Sequence, residues 1–180
     1  MKKIISFMLM TVLACTIVGC GTDSSSRGDS SAEKNPSGIN SNVTAEKSGS
    51  STKYNFEGFL TTEVPEGIFA EDKSINSGAT LFAFYDEEKT YLDVTFYFEK
   101  EATDAEMAQK ARELAKNGNS SKADDVTIGD ITFYGVNTPD YGIIRYVGAV
   151  DGIEVDLAVY VDAKDPVVKA FMENTAFVTE

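Results

Sequence analysis

The distribution of aromatic residues most limits where this chain can build a folded core. Residues 54–180 contain ten of the eleven Phe and all eight Tyr residues of the 180-residue chain. Residues 21–53 contain ten Ser and no aromatic side chain. A segment of that composition cannot bury enough apolar surface to offset the entropy lost on ordering. We therefore expect a flexible linker over 20–53 and one globular domain over 54–180.

The first twenty residues predict an export signal. Lys2 and Lys3 precede an apolar run, Ile4 to Val18, that is shorter than the roughly 20 residues a bilayer span needs. The stretch Ile17-Val18-Gly19-Cys20 resembles the lipobox of bacterial lipoproteins. The resemblance implies a signal peptide over 1–19, diacylglycerol on the Cys20 thiol, and a lipid anchor on the extracytoplasmic side of a bacterial cell membrane.

The absence of histidine limits the chemistry available to the chain. Cys15 falls in the predicted signal peptide and Cys20 is the lipidated residue, so the mature protein has no free thiol and no disulfide. Ser-His-Asp and Cys-His catalysis are excluded, and zinc is disfavoured. We expect no enzyme activity, no cofactor and no metal site. A carboxylate-based hydrolase remains the alternative enzyme class.

The predicted domain is strongly acidic. Residues 54–180 hold 25 Asp and Glu against 10 Lys and Arg, which argues against nucleic acid as a partner. The simplest interpretation is a solvated surface, and the alternative is affinity for a cationic partner or calcium. The calcium candidates are Asp86-Glu87-Glu88 and Asp124-Asp125 with Asp130, neither of which matches an EF-hand.

Alternating apolar and polar residues predict an antiparallel sheet. The strands are expected at 54–64, 80–86, 91–99, 126–135, 142–150 and 153–161, with a short last strand at 176–178. Asp151-Gly152 predicts a tight hairpin between two of these strands. In the third strand, Tyr91, Asp93 and Tyr97 share one face, opposite Leu92 and Val94.

Two helices are expected beside the sheet. Thr103-Asp104-Ala105-Glu106 matches a capping box, which begins a helix that Asn117-Gly118 ends. Asp165-Pro166 begins a second, shorter helix. Antiparallel strands with two helices covering a face predict an α+β sandwich.

The order of these elements resembles a known family. The features that carry the resemblance are Val64-Pro65-Glu66-Gly67 after the first strand, Gly135, the hairpin at 148–155, and the closing helix and strand at 165–178. They resemble the PsbP-like α/β sandwich, known from an extrinsic photosystem II subunit and from bacterial lipoproteins. The resemblance covers most of 54–180. It implies that fold, and a domain that binds or scaffolds rather than catalyses.

Tyrosines are the candidate binding residues. Tyr91, Tyr97 and Tyr160 are expected on an exposed sheet face, where Tyr offers a large rigid contact area. Ordinary sheet packing is the alternative for these and for Tyr134, Tyr141 and Tyr146. The sequence thus predicts a membrane-anchored extracytoplasmic lipoprotein with a non-catalytic domain that binds or scaffolds a protein or small molecule. A surface accessory hydrolase and a passive structural lipoprotein are the alternatives.

The lipid anchor predicts the result of a labelling experiment. Cys20→Ala should abolish incorporation of radiolabelled palmitate into the protein in growing cells, because only the Cys20 thiol can accept the lipid. Cys15→Ala is the matched control, and it should leave the labelling unchanged because Cys15 is removed with the signal peptide. Equal labelling of the two variants would contradict the prediction.

Overall fold

The computed structural model describes residues 43–74 and 78–178. The signal peptide, Cys20 and the linker up to residue 42 lie outside the described residues. The described residues form twelve strands, two α-helices and one short 3-10 helix at Pro139–Tyr141. In chain order they are β1 (Val43–Ser48), β2 (Ser51–Phe56), β3 (Leu60–Pro65), β4 (Phe69–Asp72), β5 (Ala79–Tyr85), β6 (Thr90–Glu101), α1 (Asp104–Leu114), β7 (Ser121–Lys122), β8 (Val126–Ile128), β9 (Ile131–Thr138), β10 (Ile143–Val150), β11 (Ile153–Val159), α2 (Pro166–Asn174) and β12 (Ala176–Phe177).

The strands form two antiparallel sheets. The first sheet has the order β1-β2-β3-β12. The second has the order β4-β5-β6-β11-β10-β9-β7, and β8 pairs with β9. The β10–β11 hairpin turns at Asp151 and Gly152, whose φ angles of 46° and 78° are those of the expected tight turn.

The hydrophobic core lies between the two sheets. Phe56 of the first sheet and Phe82 of the second pack with ring centroids 4.3 Å apart. Phe171 of α2 enters the same core and contacts Phe84 at 5.1 Å. All four of these rings are buried, so the inner face of the second sheet is closed by the first sheet together with α2.

Helix α1 packs on the opposite face of the second sheet. The Thr103 hydroxyl accepts a hydrogen bond from the Glu106 backbone N–H, and the Glu106 carboxylate accepts one from the Thr103 N–H, which confirms the capping box. Met107 and Ala111 of α1 are buried against Val136 and Val147 of β9 and β10. Within the described residues, no helix has both the length and the apolar character to span a membrane.

The expected fold class is wrong. The prediction was an α+β sandwich with two helices covering a sheet, whereas 53% of the described residues lie in strands of two antiparallel sheets. The helices lie on opposite faces of the second sheet. Residues 54–64 were expected to form one strand. Instead, Gly58 adopts a φ of 78° and the chain folds back from β2 into β3. That hairpin supplies the second layer.

Further elements differ from the sequence prediction. Residues 43–53, assigned to the linker, form β1 and the start of β2, where Thr52 is buried. Gly49, with a φ of 62°, makes the turn between these two strands. The segment 126–135 is divided into β8 and β9 by a turn at Gly129, also at positive φ. Strand β4 was not predicted.

Packing inside the sheet predicts the effect of a single methyl group. A Cβ at Gly148 of β10 would lie 2.6 Å from Cδ1 of Phe133, which is fully buried and stacked on Phe177. Gly148→Ala should therefore lower the free energy of unfolding by roughly 1–3 kcal/mol, measured by urea denaturation. Ala45→Val adds carbon at an exposed strand position and should change it by less than about 0.5 kcal/mol. Equal midpoints for the two variants would contradict this assignment.

Candidate functional site

The outer face of the second sheet is covered only in part. Helix α1 packs on it at Val136 of β9 and Val147 of β10, whereas among the described residues no helix makes a comparable contact on this side with β4, β5, β6, β11 or the Arg145 end of β10. We call this surface the open face. Residues that are paired directly across neighbouring strands have their side chains on the same face of the sheet. On the open face these pairs are Ala83 with Asp93, Asp93 with Ala158, and Ala158 with Arg145.

Asp93 lies at the centre of the open face. Its cross-strand neighbours, Ala83 and Ala158, are both small. The Tyr160 hydroxyl donates a hydrogen bond to Oδ2 of Asp93 at 2.7 Å. The other oxygen, Oδ1, is buried and has no hydrogen-bond partner among the residues that the structure describes. Burial raises the pKa of Asp93, while the Tyr160 hydrogen bond and the charge of Lys73 act in the opposite direction.

The ring of Tyr160 has a fixed orientation. Its hydroxyl reaches Asp93 on the neighbouring strand, so the ring extends along the sheet surface and passes beside Ala158. The side chain nevertheless remains 43% exposed. Burial and the hydrogen bond to Asp93 both raise the pKa of Tyr160, so the hydroxyl stays protonated and continues to donate.

Ion pairs occupy the part of the open face beside α1. Nε and an Nη of Arg145 both donate to Oδ2 of Asp156, which is only 4% exposed. Burial raises the pKa of Asp156, and the bonds from Arg145 oppose that shift. Lys110 of α1 forms a second ion pair with Glu154. Loss of Arg145 would leave a buried carboxylate unpaired, which is strongly destabilising.

Aromatic rings lie at both ends of the open face. Phe69, 46% exposed on β4, contacts Tyr85 at a centroid distance of 5.9 Å. Lys73 Nζ lies 5.1 Å from the centroid of the Tyr85 ring. At the other end, Lys110 Nζ lies 5.8 Å from the Tyr97 ring. Cation–π contacts of this kind are worth about 0.5–1 kcal/mol at exposed sites.

The structure places two of the three candidate tyrosines on the same face. Tyr97 and Tyr160 both lie on the open face, whereas Tyr91 is buried in the core between the sheets. A β-bulge lies between the pairs Phe84–Leu92 and Tyr85–Thr90 and makes Tyr91 an extra residue in β6. Its side chain therefore lies on the face opposite to the one that strict alternation predicts. The Tyr91 hydroxyl donates to Asp86 at 2.6 Å, which raises the pKa of Tyr91 to about 12.

The other three tyrosines lie elsewhere. Tyr134 donates to the Asp104 carboxylate at the start of α1. Tyr146 is buried in the core, and Tyr141 is 82% exposed in the 3-10 helix. Their positions favour ordinary packing or solvation for all three.

The sequence prediction missed several residues of the open face. Phe69 and Tyr85 were missed as partners because β4 was not predicted. The ion pair of Asp156 with Arg145 was not predicted from the sequence. The Asp151-Gly152 turn fixes the hairpin register and places Arg145 opposite Ala158, one diagonal step from Asp156. An arginine inside an apolar strand was the signal that would have found the pair.

The two acidic clusters have local hydrogen-bond partners. Asp86 accepts from the backbone N–H groups of Glu88 and Lys89 and from the Tyr91 hydroxyl, and the Tyr91 bond is the main reason that the pKa of Asp86 is lowered. Asp125 accepts from the Gly135 N–H and lies 3.3 Å from Lys122. Across 43–74 and 78–178, no three His, Cys, Asp or Glu residues are grouped to hold a metal ion.

Comparison with known proteins adds no assignment. No protein-family model matches the chain, and no curated protein has significant sequence similarity to it. The function of the domain must therefore be inferred from the geometry of the open face.

The hydrogen bond between Tyr160 and Asp93 predicts a pKa change. Tyr160→Phe should raise the pKa of Asp93 further, because the bond that favours the ionised carboxylate is lost while burial remains. Tyr91→Phe is the matched control: it should raise the pKa of Asp86 and leave that of Asp93 unchanged. Carboxyl carbon chemical shifts followed by NMR during a pH titration measure both values. An unchanged Asp93 pKa in Tyr160→Phe would contradict the geometry.

Proposed function

We propose that this protein is a lipid-anchored extracytoplasmic binding protein whose domain holds its ligand on the open face and performs no catalysis. The observation that carries the proposal is the Asp93–Tyr160 pair. A charged group sits on a sheet surface with one buried, unpaired oxygen, and it fixes the orientation of an exposed ring.

The environment of Asp93 supports a functional role. A buried oxygen without a hydrogen bond costs about 1–3 kcal/mol, and a threonine or alanine at this position would avoid that cost. Perturbed titratable groups of this kind are concentrated at functional sites. The Asp93 carboxylate accepts the hydrogen bond from the Tyr160 hydroxyl and so holds the Tyr160 ring in position.

The shape of the open face favours binding over hydrolysis. Asp93 and Asp156 are diagonal neighbours on adjacent strands, but Asp93 accepts from Tyr160 and Asp156 from Arg145. A carboxylate hydrolase needs a pair of carboxyl groups that can reach the scissile bond. A passive structural lipoprotein has no need of rings held in a fixed orientation.

The proposed anchor is compatible with this use of the domain. Residues 21–42 separate Cys20 from β1, and the linker expected from their composition would have a root-mean-square reach of about 25 Å. That reach exceeds the Debye length of about 8 Å at physiological ionic strength, so an acidic domain is not held against an anionic membrane surface.

Site-specific photo-crosslinking in living cells tests the proposal. Benzoylphenylalanine at position 97 should give a crosslinked adduct, and the same residue at position 141, which is exposed but away from the open face, should not. Adding Tyr160→Ala should remove the adduct at position 97. Equal adducts at the two positions, or none at position 97, would refute binding at the open face.

A further inference from the structure

The charge of the open face differs from that of the rest of the domain. Among the described residues, four acids and three bases reach the open face, whereas residues 54–180 as a whole hold 25 acids and 10 bases. The pairs are Arg145–Asp156, Lys110–Glu154 and Lys73–Glu71, the last at 3.9 Å. Asp93 is the single acid of this surface left without a basic partner within 4.0 Å among the described residues.

This balance indicates an uncharged ligand. The net charge of the domain repels a polyanion. A polycation would be attracted more strongly by the acidic surfaces outside the open face than by paired charges. Ion pairs instead hold hydrogen-bond donors and acceptors in fixed positions. The Arg145 guanidinium has five N–H groups, and its bonds to Asp156 do not use all of them. Such groups suit a ligand that carries many hydroxyls.

The positions of the rings indicate an elongated ligand. Tyr97 pairs across the strands with Glu154, and Tyr160 follows Glu154 by six residues. At about 3.3 Å per strand residue, the Cα atoms of the two tyrosines lie roughly 20 Å apart along the strands, and the Tyr160 side chain extends from its end toward Asp93. The Arg145–Asp156 pair and Asp93 lie between them. The open face therefore has room for several units of a linear chain between two aromatic ends.

The open face is poorly suited to a peptide. Peptides commonly bind by adding a strand at a sheet edge or by placing an apolar side chain in a deep pocket. Central strands β6 and β11 are paired on both sides. The exposed Tyr160 ring and the partly buried Tyr97 ring, together with nearby polar groups, match the apolar C–H face and the hydroxyl rim of a sugar ring.

We propose that the open face binds a neutral carbohydrate chain of several sugar units. Tyr160 and Tyr97 stack on sugar rings at the two ends, and Lys110 and the N–H groups of Arg145 that Asp156 does not use donate to hydroxyl groups between them. This inference rests on the proposed function, since it assigns a ligand class to the same surface.

Calorimetric titration of the full-length lipoprotein in neutral detergent tests the assignment. The probes are cellohexaose, maltohexaose and chitohexaose, each beside its disaccharide, with decalysine as the cationic alternative. At least one hexasaccharide should bind, at least tenfold more tightly than its disaccharide, and raising the salt from 150 to 500 mM should change its Kd by less than twofold.

Variants connect binding to the open face. Tyr160→Ala and Tyr97→Ala should each weaken binding of the hexasaccharide at least tenfold. Tyr141→Ala should leave it unchanged, and Tyr160→Phe, which keeps the ring, should have an intermediate effect. Circular dichroism and thermal midpoints establish that each variant is folded, and Tyr160→Phe keeps the comparison usable if Tyr160→Ala unfolds.

The outcomes separate this inference from the proposed function. No binding of any of the three hexasaccharides, or binding unaffected by the Tyr97 and Tyr160 variants, overturns the carbohydrate assignment. If the crosslink at position 97 still forms in that case, the open face remains a binding site for another ligand. Salt-sensitive binding of decalysine that Tyr160→Ala removes would replace the carbohydrate with a basic peptide.

Discussion

The fold depends on how a wide sheet has its two faces covered. The second sheet has seven strands side by side, and at a spacing of about 4.8 Å between neighbours they span roughly 30 Å. The inner face is closed by the first sheet and α2, which bring Phe56, Leu60 and Phe171 into one core. Among the described residues, the outer face is packed by a single helix, α1, which has 11 residues and a diameter of about 10 Å. One helix of that size covers about two strands, and the open face is the uncovered remainder.

The open face is stabilised by side chains that lie across it. Ala83 and Ala158 are short, so the longer neighbours Tyr160 and Arg145 can extend along the sheet and meet partners on it. Replacing a buried ion pair with packed apolar residues is often neutral or stabilising. The Arg145–Asp156 pair is therefore not required by stability alone, which agrees with the recognition role proposed for the open face.

Local patterns in the sequence predicted local structure well. The capping box at Thr103 and the Asp151-Gly152 turn specify their backbone geometry through neighbouring residues, and both are confirmed. Alternation along β6 and β11 placed Tyr97 and Tyr160 on one face. The prediction from alternation was wrong at Tyr91, because a bulge depends on how a strand pairs with its neighbour. The residue pattern of one strand carries no information about that pairing.

The two-sheet architecture was beyond such local patterns. Strand β1 is polar and exposed, and its stability comes from pairing with β2 rather than from its own composition. The reversal at Gly58 and the short strand β4 likewise depend on which strands they pair with. The Arg145–Asp156 pair joins two strands and becomes visible only once the hairpin register is known.

Asp93 links the stability of the domain to the geometry of the open face. The pKa of Asp93 is raised in the folded protein, so ionisation of this carboxyl group lowers the free energy of unfolding. This loss of stability is absent only at pH values below the pKa of Asp in the unfolded chain, about 3.9. The folded domain carries this penalty wherever Asp93 is ionised. The same ionised carboxylate is the stronger acceptor for the Tyr160 hydroxyl. The ionised state that opposes folding is therefore the one that best orients the Tyr160 ring, which fits the binding role proposed for the open face.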